Sequence, residues 1–487
     1  MKNIIYSIAF ALLCVMLGLN QALAQANIES NSLYYHSIRM PQNNAFNPAL
    51  YPANNNFYFT LPRAEVSLNS PLSLRNVLTH NPGDNVTYID VNNVLDQLNE
   101  NNRFRVGAEV DVLGFGIKFR HTFITFSSKV KAHSSVGLPI EAFNFITQGN
   151  LDENGNPISQ IDVVNGNLMN LQAYGEIGIG VGHEFKNLTL GFKAKMLLGI
   201  INATTTDTYV KLNTSETMDE LNASASYKVK IASIFDWENP TGSIQDINPI
   251  VPNTFGGYIP HSTGFAFDLG AKYQFGPLSV SASILDMSRG IHWNQNVYDV
   301  TPQGEGAFHF DGLNINGNDL INDETITFDT LSDYFKQQLD SLNPQFTESA
   351  GYWHGVPTHI NVGASYEFLN SFFKVGVLWH GQFDHGLMTC KKAIDHGTQT
   401  FRHNTTISLS MNLADWLELT IASGITNDSK KVSFFNPGLS LTFSPFTILQ
   451  IYAAIDYVSS IYTVDMKRLN AMAGVNIMIG HGKTKKR

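Results

Sequence analysis

Charge is scarce in this sequence. Only 15% of the 487 residues are Asp, Glu, Lys or Arg, against about 25% in typical soluble domains. The formal net charge is −10 at pH 7, and no basic patch with interleaved aromatic residues occurs. The negative net charge argues against nucleic acid as a partner. The small share of charged residues is unusual for a protein whose whole surface faces water.

Cysteine is nearly absent as well. Of the two cysteines, Cys14 lies in a segment, Met1 to Ala24, with the features of a signal peptide: Lys2 supplies a positive start, an apolar core follows, and small residues precede Gln25. We expect an exported mature chain with Cys390 as its one cysteine. It can then form no internal disulfide and no metal site built on a cysteine cluster.

The sequence has no long apolar run after the predicted signal peptide. After residue 24, no stretch approaches the roughly 18 apolar residues that a membrane helix needs. If the mature protein crosses a membrane, it therefore does so with strands.

Recognisable catalytic motifs are also missing. The mature chain has no G-x-S-x-G, no H-E-x-x-H and no Walker-type phosphate loop, so we predict no enzyme, no catalytic residues, no cofactor and no metal site. The histidines His380, His385, His396 and His403 flank Cys390, but their spacing matches no zinc pattern and favours loop histidines. A Ser and His arrangement assembled from distant residues stays open.

What the sequence does have is a two-residue period, clearest from Thr263 to Met287. Alternate positions from Phe265 to Phe275 are apolar. Apolar residues resume at Leu278, in the phase expected if Gly276-Pro277 is a hairpin turn. This hairpin alone fits a soluble sandwich with its apolar face inward or a barrel in lipid with that face outward. The polar positions between are Asp268, Lys272 and Gln274.

The remaining strands decide for the barrel. Period-two segments number about 14 to 18, most near the 9 to 11 residues that cross a bilayer at a tilt, whereas soluble strands average nearer 5 or 6. We therefore predict an all-β fold, a closed antiparallel transmembrane β-barrel with a few short helices in connecting segments. The hairpin residues predicted to face lipid are Phe265, Phe267, Leu269, Tyr273 and Phe275.

Charged residues lie opposite the apolar positions within these strands. On a soluble sandwich they would simply face solvent. In a barrel they line the lumen and pair across it, where loss of one partner leaves a desolvated charge. The predicted lumen-facing polar network is Arg105, Glu109, Asp111, Lys118, Arg120, Lys193, Lys195, Asp268 and Lys272.

The segments also predict a domain organisation. Short amphipathic helices are expected at Asp90 to Asn101 and Leu138 to Gln148. The predicted units are a signal peptide (1–24), an N-terminal lead-in (25–56), the barrel (57–480) with a long rim insertion (304–355), and a basic tail (481–487).

Several segments resemble a known family. They are the NPALYP motif at Asn47 to Pro52 with the strand at Phe57 to Pro62, LPIEAFNFITQGN at Leu138 to Asn150, and Ser283 to Met287 leading to Ile291-His292-Trp293. With the signal peptide, they resemble a family of uncharacterised outer-membrane barrels of Bacteroidetes-type bacteria, distantly similar to FadL-like and PorP-like barrels. The resemblance implies uptake of hydrophobic compounds or anchoring of a secretion system.

Three functional hypotheses follow. The leading one is an integral outer-membrane barrel of a Gram-negative bacterium, acting in passive transport of small or hydrophobic compounds or in membrane organisation. The alternatives are a barrel anchor or accessory of a secretion or surface-display system, and a soluble exported β-rich adhesin. Expected partners of the barrel are outer-membrane lipid, the barrel assembly machinery and a small hydrophobic ligand.

Overall fold

The structure is a computed structural model that describes most of the chain between Leu33 and Gly480. The described residues are 33–37, 39–53, 55–81, 86–89, 91–98, 102–141, 144, 160–165, 168–214, 221–236, 248–249, 261–302, 310–311, 344–384, 386, 401–428, 431–433, 437–446, 448–458 and 466–480.

Strands dominate the described secondary structure. In chain order the first are β1 (Phe57–Thr60), β2 (Arg63–Asn69), β3 (Leu78–Asn81), β4 (Val86–Ile89), β5 (Asn102–Phe119), β6 (Thr122–Leu138), β7 (Gln160–Asn165), β8 (Met169–Phe185), β9 (Leu188–Thr214), β10 (Leu221–Ser233), β11 (Phe235–Asp236), β12 (Asn248–Pro249) and β13 (Thr263–Phe275). The others are β14 (Leu278–Trp293), β15 (Val297–Pro302), β16 (Phe310–Asp311), β17 (Pro344–Glu348), β18 (Tyr352–His354), β19 (Thr358–Phe368), β20 (Phe373–Phe383), β21 (Phe401–Ala414), β22 (Leu417–Asp428), β23 (Lys431–Ser433), β24 (Pro437–Phe443), β25 (Leu449–Asp456) and β26 (Arg468–Ile479).

Helices are short. Among the described residues, the helices with complete bounds are α1 (Leu74–Val77), α2 (Val91–Gln97) and a 3-10 helix at Pro41–Ala45. Ile140, Glu141 and Asn144 are also α-helical. The helix α2 confirms the helix predicted between Asp90 and Asn101. Most of the helix predicted from Leu138 and most of the 304–355 insertion lie outside the described residues. Among the described residues, no helix has the length and apolar content needed to span a membrane.

Fourteen strand positions close into one antiparallel barrel, which confirms the predicted fold. β1 and β2 share one position, because both pair with β5 on one side and with β26 on the other. They are separated by a bend at Leu61-Pro62, where the Leu61 N–H still donates to the Val475 carbonyl at 3.0 Å. Since the last strand meets the first, the barrel sheet has no free edge at this seam.

The hairpin of β13 and β14 has the predicted turn and faces. Phe275 pairs with Leu278 across Gly276-Pro277. Outward residues of β13 such as Phe265 are exposed, whereas Asp268 between them is 1% exposed and faces the interior. The period-two pattern therefore identified both faces of this hairpin.

In β5 the alternation of inward and outward side chains changes phase part-way along the strand. A bulge between Asp111 and Leu113 interrupts its pairing with β6, and the consecutive residues Val112 and Leu113 are both exposed. An extra residue in one strand shifts every later side chain to the other face. Gly114 and Gly116 consequently face inward after the bulge, as Arg105 does before it.

The barrel sheet continues beyond the barrel from β9, the longest described strand at 27 residues. Residues 188–198 of β9 pair with β13 in the barrel wall, but residues 201–214 pair with β10 instead. β7 pairs with the same part of β9, β15 with β10, and β17 with β15. We call this extension the protruding sheet. Buried residues where it meets the barrel are Tyr174, Leu197, Ala232, Ala266, Ile291, Trp293, Val297, Tyr352 and Val356.

Charge pairs tie the protruding sheet together. The Lys228 ammonium lies 3.0 Å from Asp299 Oδ2, and the Lys230 ammonium lies 2.5 Å from Asp299 Oδ1. Partial burial acts to raise the pKa of Asp299, but the hydrogen bonds from the two lysines lower it below its ordinary value. Asp299 is therefore ionised at neutral pH.

Barrel closure can be tested by cross-linking. Val66 of β2 pairs with Ala471 of β26, so Val66→Cys with Ala471→Cys, in a Cys390→Ser background, is expected to form a disulfide on oxidation. Non-reducing electrophoresis of the denatured protein should show the altered mobility of a chain closed into a loop. The matched control pairs Val66→Cys with Asn470→Cys, one residue out of register; equal cross-linking of both pairs would contradict this register.

Candidate functional site

The N-terminal segment, described at residues 33–37 and 39–53, lies inside the barrel. Leu33, Tyr34 and Met40 are almost completely buried there and pack with Tyr452 and Met472 of the wall. The 3-10 helix at 41–45 follows. The described part of the lead-in, which the sequence predicted only as a polar stretch, thus occupies the lumen of the barrel.

Hydrogen bonds fix this segment to strands on several sides of the lumen. They combine side chains of the segment with both main-chain and side-chain groups of the wall. Examples are Tyr34 Oη donating to the Ala453 carbonyl at 2.7 Å, Ser37 Oγ donating to Glu418 Oε2 at 3.2 Å, Gln42 Nε2 donating to Asn476 Oδ1 at 2.8 Å, Asn47 Nδ2 donating to the Ala282 carbonyl at 3.2 Å, and Asn361 Nδ2 donating to the Phe46 carbonyl at 2.8 Å.

Glycines in the wall make room for the segment. Gly191 of β9 and Gly270 of β13 are direct partners, and a Cβ on Gly191 would overlap the main chain of Pro48. Three strands further round the wall, the ring of His36 lies against Gly376 of β20 so closely that a Cβ there would overlap it. The segment therefore rests on bare backbone at these positions.

Aromatic residues continue the contact at the end of the segment. The ring of Tyr51 lies 4.8 Å from that of Phe123 and 5.4 Å from that of Tyr58, measured between centroids. The ring of Phe123 in turn covers Gly182. Tyr51 is the residue of the NPALYP motif that anchors this end to β1 and β6.

Beside the N-terminal segment lies a buried group of charges, which we call the charge cluster. In its first half, the Arg63 guanidinium contacts Glu65 at 2.9 Å, Asp111 at 2.9 Å, and Glu109. The Lys129 ammonium lies 2.7 Å from Glu109 and 3.4 Å from Asp111. Two cations, from β2 and β6, are thus matched to three carboxylates, from β2 and β5.

Lys195 is the centre of the second half of the charge cluster. Its ammonium lies 2.8 Å from Asp268 Oδ2, 2.7 Å from Asp286 Oδ1 and 3.6 Å from Glu176 Oε1. Lys131 supplies a second cation, 2.8 Å from Glu176 Oε2 and 3.6 Å from Asp286 Oδ2. The ion pairs among these five residues connect β6, β8, β9, β13 and β14.

Asp286 reaches the charge cluster through an irregular backbone. The pairing of β13 with β14 shifts between Phe267 and Leu269, and Asp286 has a φ of 57°. In this left-handed conformation, which costs a non-glycine residue energy, the Asp286 N–H donates to Asp268 Oδ1 at 2.8 Å. The bulge thus turns both the carboxylate and the main-chain N–H of Asp286 toward the cluster.

A cavity of about 80 Å³ separates the charge cluster from the N-terminal segment. Ala45 and Phe46 of the segment form one side, and Lys193 and His359 are among the residues opposite. His359 Nδ1 lies 3.4 Å from His380 Nε2, and His380 Nδ1 is hydrogen-bonded to Asn361 Oδ1. The cavity is therefore lined by charged and polar groups on the wall side and by an aromatic residue on the segment side.

Seven of the nine predicted lumen-facing residues fall into two groups. Arg105 faces inward away from the cluster, 3.9 Å from Asp384 Oδ2. Lys118 pairs with Glu184 at 2.5 Å. The predicted residues that lie in the charge cluster are Glu109, Asp111, Lys193, Lys195 and Asp268.

The other two predicted residues lie at or near the turns that end their strands. Arg120 is an exposed residue of the turn between β5 and β6, with a φ of 56°, so it is not inside a strand as the sequence suggested. Lys272 is half-buried near the Gly276-Pro277 turn. Alternation placed Arg120 inside the strand because it does not mark where a strand ends, and β5 ends at Phe119.

Sequence reasoning missed about half of the cluster. Lys129 and Lys131 alternate with apolar residues in β6, and the same alternation was the basis for predicting that Arg105 faces the lumen. Glu176 lies on the inward face that continues as Gly178 and Gly180. The cluster and cavity residues that were not predicted are Arg63, Glu65, Lys129, Lys131, Glu176, Asp286, His359 and His380.

The histidines around Cys390 are only partly described. His380 and His403 are buried on the neighbouring strands β20 and β21, whereas His385, Cys390 and His396 lie outside the described residues. Among the residues that the structure covers, no group of three or more His, Cys, Asp or Glu is arranged to hold a metal ion.

Comparison with known proteins gives a family. The model described as "Family of unknown function (DUF5723)" matches residues 48–456. The chain belongs to this family. A comparison with curated proteins gives no match.

Solved structures resemble the DUF5723 chain weakly. The Ralstonia pickettii toluene transporter TbuX is 10% identical, with 90% of this chain and 92% of that chain covered and a TM-score of 0.40. The P. putida toluene transporter TodX is 11% identical, with 90% and 93% covered and a TM-score of 0.39. At these values the likeness does not bear on what this chain binds or carries.

The fit of the N-terminal segment can be tested at its glycine contacts. Gly191→Ala is expected to displace the segment, because the new Cβ would overlap Pro48. A Cys reporter at Ala45→Cys, in a Cys390→Ser background, should then react several-fold faster with a soluble maleimide. The control is Gly175→Ala, whose Cβ would lie 3.7 Å from Leu198 Cβ in ordinary contact; equal labelling in both variants would contradict this placement.

The charge cluster can be tested by removing its central cation. Lys195→Met leaves three buried carboxylates short of a partner, so the free energy of unfolding is expected to fall by about 3–5 kcal/mol. Lys228→Met, at a pair of the protruding sheet whose lysine side chain is 42% exposed, should change it by at most about 1 kcal/mol. Denaturant unfolding in detergent measures both, and similar small losses would show that the cluster is not structural.

Proposed function

We propose that this DUF5723 barrel spans the outer membrane of a Gram-negative bacterium and conducts small or hydrophobic compounds, with the N-terminal segment as its gate. The observation that carries the proposal is the division of the barrel into an apolar outer face and a charged lumen occupied by a segment of the same chain.

The outer face supports a location in lipid. Ile179 on β8, Phe192 on β9 and Phe267 on β13 are exposed, and the rings of Phe192 and Phe267 stack with centroids 6.0 Å apart. Apolar residues alternating with inward polar ones along long strands are typical of a membrane barrel. A soluble monomer rarely exposes so continuous an apolar surface, which disfavours the alternative of a soluble exported adhesin.

The contents of the lumen favour a conduit that is closed until the N-terminal segment moves. A barrel of this size encloses more space than the eight-stranded barrels that side chains alone can fill, and here the N-terminal segment occupies part of it. Many of its contacts are single hydrogen bonds, each contributing about 0.5–1.5 kcal/mol. Displacing part of the segment therefore costs far less than separating two strands of the barrel.

A second candidate is a barrel anchor or accessory of a secretion or surface-display system. The protruding sheet favours it, because β7 and β17 lie at its margins and strand edges can pair with another chain. A conduit alone has no need of such a sheet. In this role the N-terminal segment would close the lumen permanently.

Flux measurements separate the two roles. Purified protein reconstituted into liposomes is expected to pass a small hydrophobic compound, and Gly191→Ala should pass it several-fold faster because the segment is displaced. Gly175→Ala is the matched control and should equal the wild type.

Two results would count against the proposal. Absence of flux for every solute class, in the wild type and in Gly191→Ala alike, would favour the anchor. Recovery of folded protein from the soluble fraction without detergent would contradict the membrane location itself.

A further inference from the structure

Arg289 is an exposed cation on the apolar outer face of the barrel. It lies on β14, in a bulge where Arg289 and Gly290 together stand opposite Phe265 of β13. Phe265 belongs to the outer face and is 63% exposed. A charge on the face of a barrel that contacts lipid is destabilising unless it lies near the membrane surface, so its position there calls for an explanation.

The backbone of the bulge fixes the position of Arg289. Gly290 has a φ of 102°, and a Cβ on it would overlap the main-chain carbonyl of His354 in the neighbouring β18. The Gly290 N–H donates to Ser288 Oγ at 3.2 Å. Because only glycine fits so close an approach of two strands, the bulge is a specific feature of this wall and it holds Arg289 outward.

The guanidinium of Arg289 rests on an aromatic ring. Its Cζ lies 4.3 Å from the centroid of the Trp353 indole, which is within the range of a cation–π contact. Trp353 is paired directly with His292 of β14, and the rings of Trp353 and His292 lie 5.0 Å apart. The indole covers one face of the planar guanidinium and leaves the N–H groups at its edge available.

No carboxylate of the described part of the chain neutralises Arg289. Within those residues its guanidinium forms no ion pair and no hydrogen bond. Lys195 on the inner face, by contrast, lies 2.8 Å from Asp268 Oδ2 and 2.7 Å from Asp286 Oδ1. The counter-charge of Arg289 is therefore left to the surroundings of the barrel.

In the proposed membrane location, Arg289 lies at one boundary of the apolar band. Leu278 begins β14 after the turn, between the aromatic residues Phe275 and Tyr366 of the neighbouring strands, as in the aromatic girdle of a membrane barrel. Arg289 follows after about eleven residues, or about 25–30 Å along the barrel axis at roughly 3.3 Å per residue and a tilt of about 35–45°. The apolar band is about 25 Å tall, so Arg289 lies at the depth of the lipid headgroups on the other side.

The connections between strands identify that side. At the end of the barrel where Leu278 lies, β5 and β6, β8 and β9, β13 and β14, and β21 and β22 are joined by two-residue turns. The protruding sheet and the longer connection from Phe383 to Phe401 are at the opposite end. Outer-membrane barrels have short periplasmic turns and longer extracellular loops, which assigns Arg289 to the outer leaflet.

We propose that Arg289, supported by Trp353, binds the phosphate of a lipid headgroup in that leaflet. The fork of N–H donors on a guanidinium matches the oxygens of a phosphate, and Phe265 and the apolar wall beside it provide a surface for the acyl chains. Inorganic phosphate has the same headgroup chemistry but no acyl chain. The inference rests on the membrane location in the proposed function and does not depend on transport.

The test measures lipid retained by the full-length protein after purification in dodecyl maltoside, an uncharged detergent, by native mass spectrometry. The probes are a phosphatidic acid, the diacylglycerol with the same acyl chains, and inorganic phosphate. The wild type is expected to retain several-fold more phosphatidic acid than diacylglycerol. Inorganic phosphate at the same concentration should not displace the phosphatidic acid.

Variants assign the binding to Arg289. Arg289→Met should abolish the preference for phosphatidic acid, and Arg289→Lys should retain part of it, because the charge remains but the planar fork is lost. Lys228→Met, which removes a cation of the protruding sheet that is 42% exposed, is the matched control and should equal the wild type. As a second readout, phosphatidic acid should raise the Tm of the wild type but not that of Arg289→Met.

Four results would overturn the proposal. They are no preference for phosphatidic acid in the wild type, an unchanged preference in Arg289→Met, an equal loss in Lys228→Met, and displacement by inorganic phosphate. The comparison of lipids in the wild type needs no variant, so it decides even if Arg289→Met fails to fold. Preference for phosphatidic acid without flux would refute only transport, and flux without this preference would refute only this inference.

Discussion

Closure of the sheet, through the pairing of β26 with β1 and β2, is the constraint on which the other features depend. Once the sheet is closed, every strand residue faces either the lumen or the surroundings. Apolar residues take the outer face, so each charge within a strand is directed into a confined space away from bulk water. There it must find a partner, and the ion pairs around Arg63 and Lys195 follow from that requirement.

The N-terminal segment solves a related problem of volume. The lumen is too wide for wall side chains to fill, and glycines such as Gly191 and Gly376 widen it further. The segment packs against these bare positions while its polar side chains bond to the wall. The charge cluster and the segment together complete the interior, and the cavity lies where the two meet.

The sequence predicted the features that are local. The alternation from Phe265 to Phe275, the turn at Gly276-Pro277 and the helix near Val91 need only neighbouring residues, and each was found in the structure. The position of the N-terminal segment was not predictable this way, because Gln42 bonds to Asn476, far away in the chain. Nor could alternation reveal that Lys195, not Lys193, takes the Asp268 carboxylate, since that choice depends on the bulge at Asp286.

The length of β9 has a mechanical consequence. Its 27 residues extend about 90 Å at roughly 3.3 Å per residue, which is more than twice what a tilted strand needs to cross a hydrocarbon core of about 30 Å. One continuous strand therefore belongs to the barrel wall at its start and to the protruding sheet at its end. A force applied to that sheet is transmitted along a single backbone to the residues beside the lumen cavity, with no intervening loop to absorb it.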